Sequence, residues 1–216
     1  MGYKLVQSIL DNKVEIRIDI LNDKSDKIGF LKPITKYTIN DFVIVDKLTK
    51  WRNNFKEHFL TQFHATNDRT LNWIKSSIIN DNTKMLFIIY DKIGYPIGNL
   101  GFTKLTNINS EIDNLIKGEE STPNNIIYFA ELALIDWMFS NLNISEIYGH
   151  VFSHNIAPMM LHREVGFEII EKIKVYKHEI NNEVHWKLIE SNFFNSEQKF
   201  IYKIALNKLK FKKNDY

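Results

Sequence analysis

Glu111 and Asp113, two positions apart, and the downstream histidines His150, His154 and His162 are the residue types that move protons. In an extended segment, "SEIDNLIK" at 110–117, residues two apart share a face, about 7 Å apart along the strand. A neighbouring like charge raises one pKa of such a pair and brings a carboxylate towards a useful general base. Histidine serves as acid or base near neutral pH. The bland alternatives are a solvated strand face carrying two charges, and histidines that only pack or face water. Arg52, in "WRNN" at 51–54, carries a fork that matches phosphate oxygens. A Trp-Arg-Asn run at a helix end also fits core packing with a loop-bracing arginine. His58, His64, His178 and His185 show no spacing suited to a metal, so no metal site is expected.

The elements that position these residues follow from local signals. "SHNIAPMMLHREVGF" at 153–167 predicts a short helix. Asn155 suits its N-cap, Pro158 falls in the first turn where a missing N–H costs nothing, and Gly166 suits the left-handed stop, with Phe167 packing back. His162 lies two turns after Asn155, on the same face. Upstream, "KVEIRIDIL" at 13–21 alternates as a half-buried strand and "KIGFLKPIT" reads as a second. Helices are expected from Thr38, capped by Thr38 or Asn40, and from Thr66 or Asn67. "TKMLFIIYD" and "IGNLGFTKL" form a hairpin. "IIYFAELALIDWMFSNLNI" is the longest helix, running into the strand "SEIYGHVF". A hairpin turning at Asn181–Asn182 and a strand "KFIYKIALNKL" close the chain. Trp73 and Trp137 fall on apolar helix faces and read as core. The basic end "KLKFKKNDY" reads as a solvated, disordered terminus.

The 216 residues, 44% of them apolar, suit one α/β (α+β) domain over 1–216, with a core at about 28–210 and a strand extension at 13–27. The net charge of +2 gives no reason to expect nucleic acid as a partner. With no cysteine, disulfides, thiolate ligands and a cysteine nucleophile are excluded. No signal-like start or long apolar run is present, which points to the cytoplasm and away from membranes. Monomer and homodimer are equally compatible.

The order of elements, "NIAPMMLHREVGF" and "AELALIDWMFSNLNISEIYGHVF" together resemble the GNAT superfamily of acyl-CoA-dependent N-acyltransferases, over roughly residues 28–170. "WRNN", "FLTQFHATNDRTLNWI" and "IDNLIKGE" further resemble its members that acylate nucleotide-linked amino deoxysugars in bacterial surface-polysaccharide pathways such as O-antigen. The resemblance implies a mixed sheet splayed between its fourth and fifth strands. It also implies an acyl-CoA co-substrate, acetyl-CoA or 3-hydroxybutyryl-CoA, and a dTDP- or UDP-linked amino-dideoxy sugar as acceptor. Glu111 takes the base position, with Asp113 and His150 as competitors, and His154 and His150 could also bind phosphates. His162 stands where the superfamily has the tyrosine that protonates the thiolate. Leu115, Ile116 and Lys117 would pair with pantetheine, and Asn155 would contact the same arm. Trp51, Arg52, Asn53 and Phe63 would line the acceptor pocket.

One departure stands out. The superfamily grips pyrophosphate with a Q/R-x-x-G-x-G/A loop, where this chain has "TPNNII" at 122–127 with no glycine. Backbone N–H groups of Asn124, Asn125, Ile126 and Ile127 would have to serve instead. The rival readings are an acetyltransferase for a protein N-terminus and a non-catalytic module that kept this fold.

Overall fold

The computed structural model describes residues 2–119, 124–188 and 197–213. In chain order the elements are α1 (Gly2–Leu10), β1 (Ile18–Leu21), β2 (Lys27–Pro33), α2 (Phe42–Asn54), β3 (Thr61–Gln62) and α3 (Asn67–Trp73). There follow β4 (Met85–Asp91), β5 (Pro96–Thr103), β6 (Asn109–Lys117), α4 (Asn124–Asn141), β7 (Glu146–Phe152) and α5 (Ile156–Val165). The chain ends with β8 (Glu168–Ile180), β9 (Glu183–Leu188), β10 (Gln198–Asn207) and α6 (Lys208–Lys213). The strands form one mixed sheet in the order β1-β2-β4-β5-β6-β7-β10-β8-β9-β3.

Each face of the sheet carries its own core. Val6, Ile9 and Leu10 of α1 join Ile127, Ala130, Leu134 and Met138 of α4 against Phe87, Leu100 and Ile112. α4 is apolar nearly all round because it is buried nearly all round, between the sheet and α5. On the opposite face, Ile44, Leu48 and Trp51 of α2 pack with Ile74 and Ile78 against Leu86, Ile88 and Ile116. No helix among the described residues is long and apolar enough to cross a membrane.

The splay predicted in the sheet is present. β6 and β7 run parallel, but their ladder stops at Glu111↔Tyr148. Beside the splay, β6 carries a bulge. Gly101 faces Asp113 and Asn99 faces Ile116, so β6 has one extra residue, and Asn114 takes the left-handed conformation (φ 56°) that accommodates it.

Several local expectations change. The strand foreseen at 13–21 is only Ile18–Leu21, and a helix, α1, precedes it. The cap of α2 is Asp41, whose carboxylate accepts from Val43 and Ile44 N–H, while 38–40 form a 3-10 turn. Thr66 caps α3, which runs on as a π-helical turn over Ile74–Ile79. Asn181 and Asn182, both at positive φ, make the hairpin turn between β8 and β9 as anticipated. The basic end is helical to Lys213, with Phe211 buried on Phe139. Residues 214–216 lie outside the described residues.

Candidate active site

β6 sets the two carboxylates. Ile112 points into the α4-side core, so Glu111 and Asp113 face the other way, towards α2 and α3. Glu111 is buried. Its Oε1 lies 2.6 Å from His150 Nδ1 on β7, and its Oε2 lies 2.6 Å from Lys104 Nζ. Burial raises the Glu111 pKa, but the contacts with His150 and Lys104 outweigh it and hold the carboxyl below its usual value. Asp113 instead opens into the cleft and accepts from the backbone N–H (2.7 Å) and side-chain amide (2.9 Å) of Asn114, which the bulge turns towards it. The protein mass around the cleft pushes its carboxyl up, and the neighbouring Glu111 charge adds to this. The two carboxylates do split, with the more exposed one raised.

α5 ends as its sequence suggested. Gly166 (φ 111°) donates to Arg163 O, Phe167 N–H donates to His162 O at 2.9 Å, and the Phe167 ring meets the His162 ring edge-on at 5.4 Å. The start of α5 differs. Asn155 makes no side-chain cap; its buried amide turns to the α2–α3 loop, with Oδ1 2.6 Å from His58 Nδ1 and Nδ2 donating to His58 O. That long-range pair takes up the side-chain oxygen expected to cap the helix. His162 is buried, and its Nδ1 meets Glu131 Oε1 of α4 at 2.6 Å.

One cleft of ≈ 2160 Å³ opens between α2, α3, the splay and α5. Glu111, Asp113, His150, Asn155 and His162 line it, as do Leu115, Ile116, Lys117, Asn125 and Ile127. Arg52 and Phe63 reach it too. The Arg52 guanidinium lies 3.5 Å from the Phe59 ring centre and 5.2 Å from that of Phe63, and it donates to Thr61 O. Burial lowers its pKa to about 10, against the pull of Asp113, yet it remains a cation at neutral pH. Among the described residues no carboxylate lies within ion-pair distance of it. Arg69 covers the same Phe63 ring at 3.5 Å and forks onto Glu183 of β9.

Other expected site residues lie elsewhere. Trp51 is 2% exposed, packed in the α2-side core with its indole N–H on Glu119, so it presents no surface to an acceptor. Asn53 spends both side-chain atoms on Ala65 and braces the loop. His154 is exposed, its ring tilted against Phe152, and it is not part of the cleft lining. Ile126 is buried in the α4-side core and does not line the cleft. Asn124 opens α4 by its backbone, while Thr122 and Pro123 of the expected phosphate loop lie outside the described residues. Trp73, read as core, packs partly buried against the α2-side core and also lines the cleft. Sequence reasoning missed Lys104, Arg69, His58 and Glu131. Only Glu131 left a trace, as a carboxylate inside an apolar run. Among the described residues no group of three or more His, Asp or Glu is arranged to hold a metal.

Comparisons with known proteins agree with this architecture. Residues 31–168 match the profile of the acetyltransferase (GNAT) domain. A search of curated protein sequences found no match. Among solved structures, spermidine N-acetyltransferase from Vibrio cholerae, in complex with CoA and spermine, superposes with TM-score 0.61 at 18% identity over 84% of this chain and 96% of that one. FdhC, described as a nucleotide-linked sugar GNAT, gives 0.63 at 15% identity over 93% and 95%. RimL, a ribosomal L7/L12 α-N-protein acetyltransferase in complex with CoA, gives 0.66 at 12% over 89% and 98%. At such identities these likenesses speak for the fold alone. The family match covers most of the chain: it belongs to the GNAT family and is an acetyltransferase that draws its acyl group from acyl-CoA.

Proposed function

We propose that the cleft transfers an acyl group, acetyl or 3-hydroxybutyryl, from acyl-CoA to the amine of a dTDP- or UDP-linked amino-dideoxy sugar for a surface polysaccharide such as O-antigen. The observation that carries this is Arg52, a cation over the Phe59 ring on the cleft wall, on the same side as Glu111 and Asp113 and with no carboxylate in ion-pair reach among the described residues. A forked cation suits a diphosphate, and the carboxylates suit an ammonium. A nucleotide-linked amino sugar carries both groups. A polyamine, the acceptor named for the Vibrio enzyme, would meet an unneutralised guanidinium at that end. Volume agrees: a pocket for one small ligand has about 300–1,000 Å³, and this cleft exceeds that about twofold.

Acyl-CoA fits the splay. The N-terminal N–H groups of α4, at Asn124 to Ile127, supply donors for pyrophosphate without glycines. The edge of β6 at Leu115, Ile116 and Lys117 faces the gap left by β7 and would pair with the pantetheine amides. Asn155 serves this arm by fixing the α5 terminus against His58 rather than by a free amide. On the acceptor side, Glu111 accepts the Nδ1–H of His150 and leaves Nε2 as the base that takes the amine proton. Asp113 holds the ammonium before that transfer. On the thiol side, His162 hands a proton to the departing sulfur.

The test is release of free thiol from acetyl-CoA and 3-hydroxybutyryl-CoA with dTDP- and UDP-linked amino sugars, spermidine and an N-terminal peptide as acceptors. Turnover with an amino-sugar nucleotide is the expected result. Turnover confined to spermidine or the peptide would overturn the acceptor assignment, and absence of CoA binding by calorimetry would leave a non-catalytic module.

A further inference from the structure

Glu131 sits on the second turn of α4, wholly buried among apolar neighbours. Its Oε1 is 2.6 Å from His162 Nδ1, and its Oε2 has no hydrogen-bond partner among the described residues. A buried carboxylate with one oxygen unsatisfied costs stability, and apolar residues would fill the space between α4 and α5 more cheaply. Such a group calls for a function at the ring it holds.

We infer that Glu131 is a positioning residue that claims the Nδ1 proton of His162 and thereby makes Nε2 the nitrogen presented to the sulfur of the acyl donor. This rests on the reading of His162 as proton donor to the thiolate. Free neutral histidine favours the proton on Nε2; a carboxylate fixed at Nδ1 reverses that preference and locks the ring plane. The step then balances. The amine nitrogen attacks the thioester carbon, and the C–N bond forms. The C–S bond breaks with its electron pair passing to sulfur. The imidazolium of His162 gives its Nε2 proton to that sulfur and becomes a neutral ring still donating from Nδ1 to Glu131. The amine proton leaves on the other side, to His150.

Glu131 and Phe167 touch the ring; the other titratable or charged residues near it in sequence or one turn back on α4 are Tyr128, the exposed Arg163 and Glu164 on α5, and Glu168, which pairs with Lys210. Of these, Glu131 is the carboxylate in contact with an imidazole nitrogen.

The experiment combines ¹⁵N imidazole NMR with kinetics. At a pH where the ring is neutral, wild-type His162 should carry its proton on Nδ1, and Glu131→Met should move it to Nε2. Glu131→Met should lower kcat by about ten- to hundredfold with both KM values within about twofold, and Glu131→Gln, which keeps an acceptor, should recover part of it. In a His162→Tyr background, Glu131→Met should have no further effect on kcat. Equal slowing in both backgrounds would mean packing alone and overturn the inference. So would a wild-type ring protonated on Nε2, a measurement that needs no variant to fold. Unchanged turnover in His162→Phe would instead remove the donor role of His162 itself.

Discussion

His58 and Asn155, 97 positions apart, bond twice, ring to amide at 2.6 Å and amide to backbone carbonyl at 3.3 Å, and so tie the α2–α3 loop to the start of α5. The loop is held from its other side as well, because β3 pairs with β9 and the backbone N–H of Trp186 donates to Leu60 O. Asn155→Ala should release one of these two anchors. Faster amide exchange at Thr61 and Gln62 and a severalfold rise in acceptor KM, with kcat little changed, are expected. Exchange indistinguishable from wild type would show that the β9 pairing alone holds the loop.

Gly118 answers to packing. A Cβ there would lie 2.1 Å from the Trp51 ring, and that ring cannot move aside because it is buried and its N–H is bonded to Glu119. Gly118→Ala should cost about 1–3 kcal/mol by overpacking. For a chain of this length that lowers Tm by about 2–4 °C per kcal/mol. Calorimetry checks it, and an unchanged Tm would mean that α2 shifts freely over β6.

What the sequence disclosed was what neighbours along the chain decide. Gly166 and Phe167 terminate α5 through bonds to residues three to five positions back, so they were readable, as was the Asn181–Asn182 turn. α1 was not, because its apolar residues Val6, Ile9 and Leu10 follow a start with no capping residue. Asn155 read as a cap because that local role is common, yet a distant histidine took its side chain. Glu131 and His162 meet only because α4 crosses α5, and nothing in their spacing encodes that. The splay was foreseen by likeness to a family; no residue pattern in β6 or β7 reveals where a ladder stops.

Arg52 tests the acceptor class directly. Arg52→Ala should reduce kcat/KM for an anionic, nucleotide-linked acceptor by at least about tenfold, in keeping with loss of a charge-assisted forked contact. The KM for acyl-CoA should not move. Arg52→Lys should recover only part, because an ammonium neither forks nor stacks flat on Phe59. A cationic acceptor predicts the opposite sign: removing the guanidinium would then improve turnover. Steady-state kinetics with both acceptor types decides between them.

Glu111 and Asp113 should pull stability in opposite directions with pH. The Glu111 carboxyl is held below its ordinary value of 4.5, so its ionised form stabilises the fold at neutral pH, and that contribution is lost as pH falls from about 4.5 through the lower folded value. Glu111→Gln should therefore melt below wild type at pH 7 and converge with it in acid. The Asp113 carboxyl is raised above 3.8, so the unfolded chain gives up that proton more readily, and ionisation costs the fold stability as pH rises through the folded value. Asp113→Asn should therefore melt above wild type at pH 7, and the gain should vanish at low pH. Activity separates the pair again. Glu111→Gln loses the charge that orients His150 and should slow turnover by about a hundredfold with CoA affinity nearly unchanged. Asp113→Asn should act mainly on acceptor KM. If Asp113→Asn instead shows the hundredfold loss at saturating acceptor while Glu111→Gln is silent, Asp113 is the base and the His150–Glu111 contact is structural.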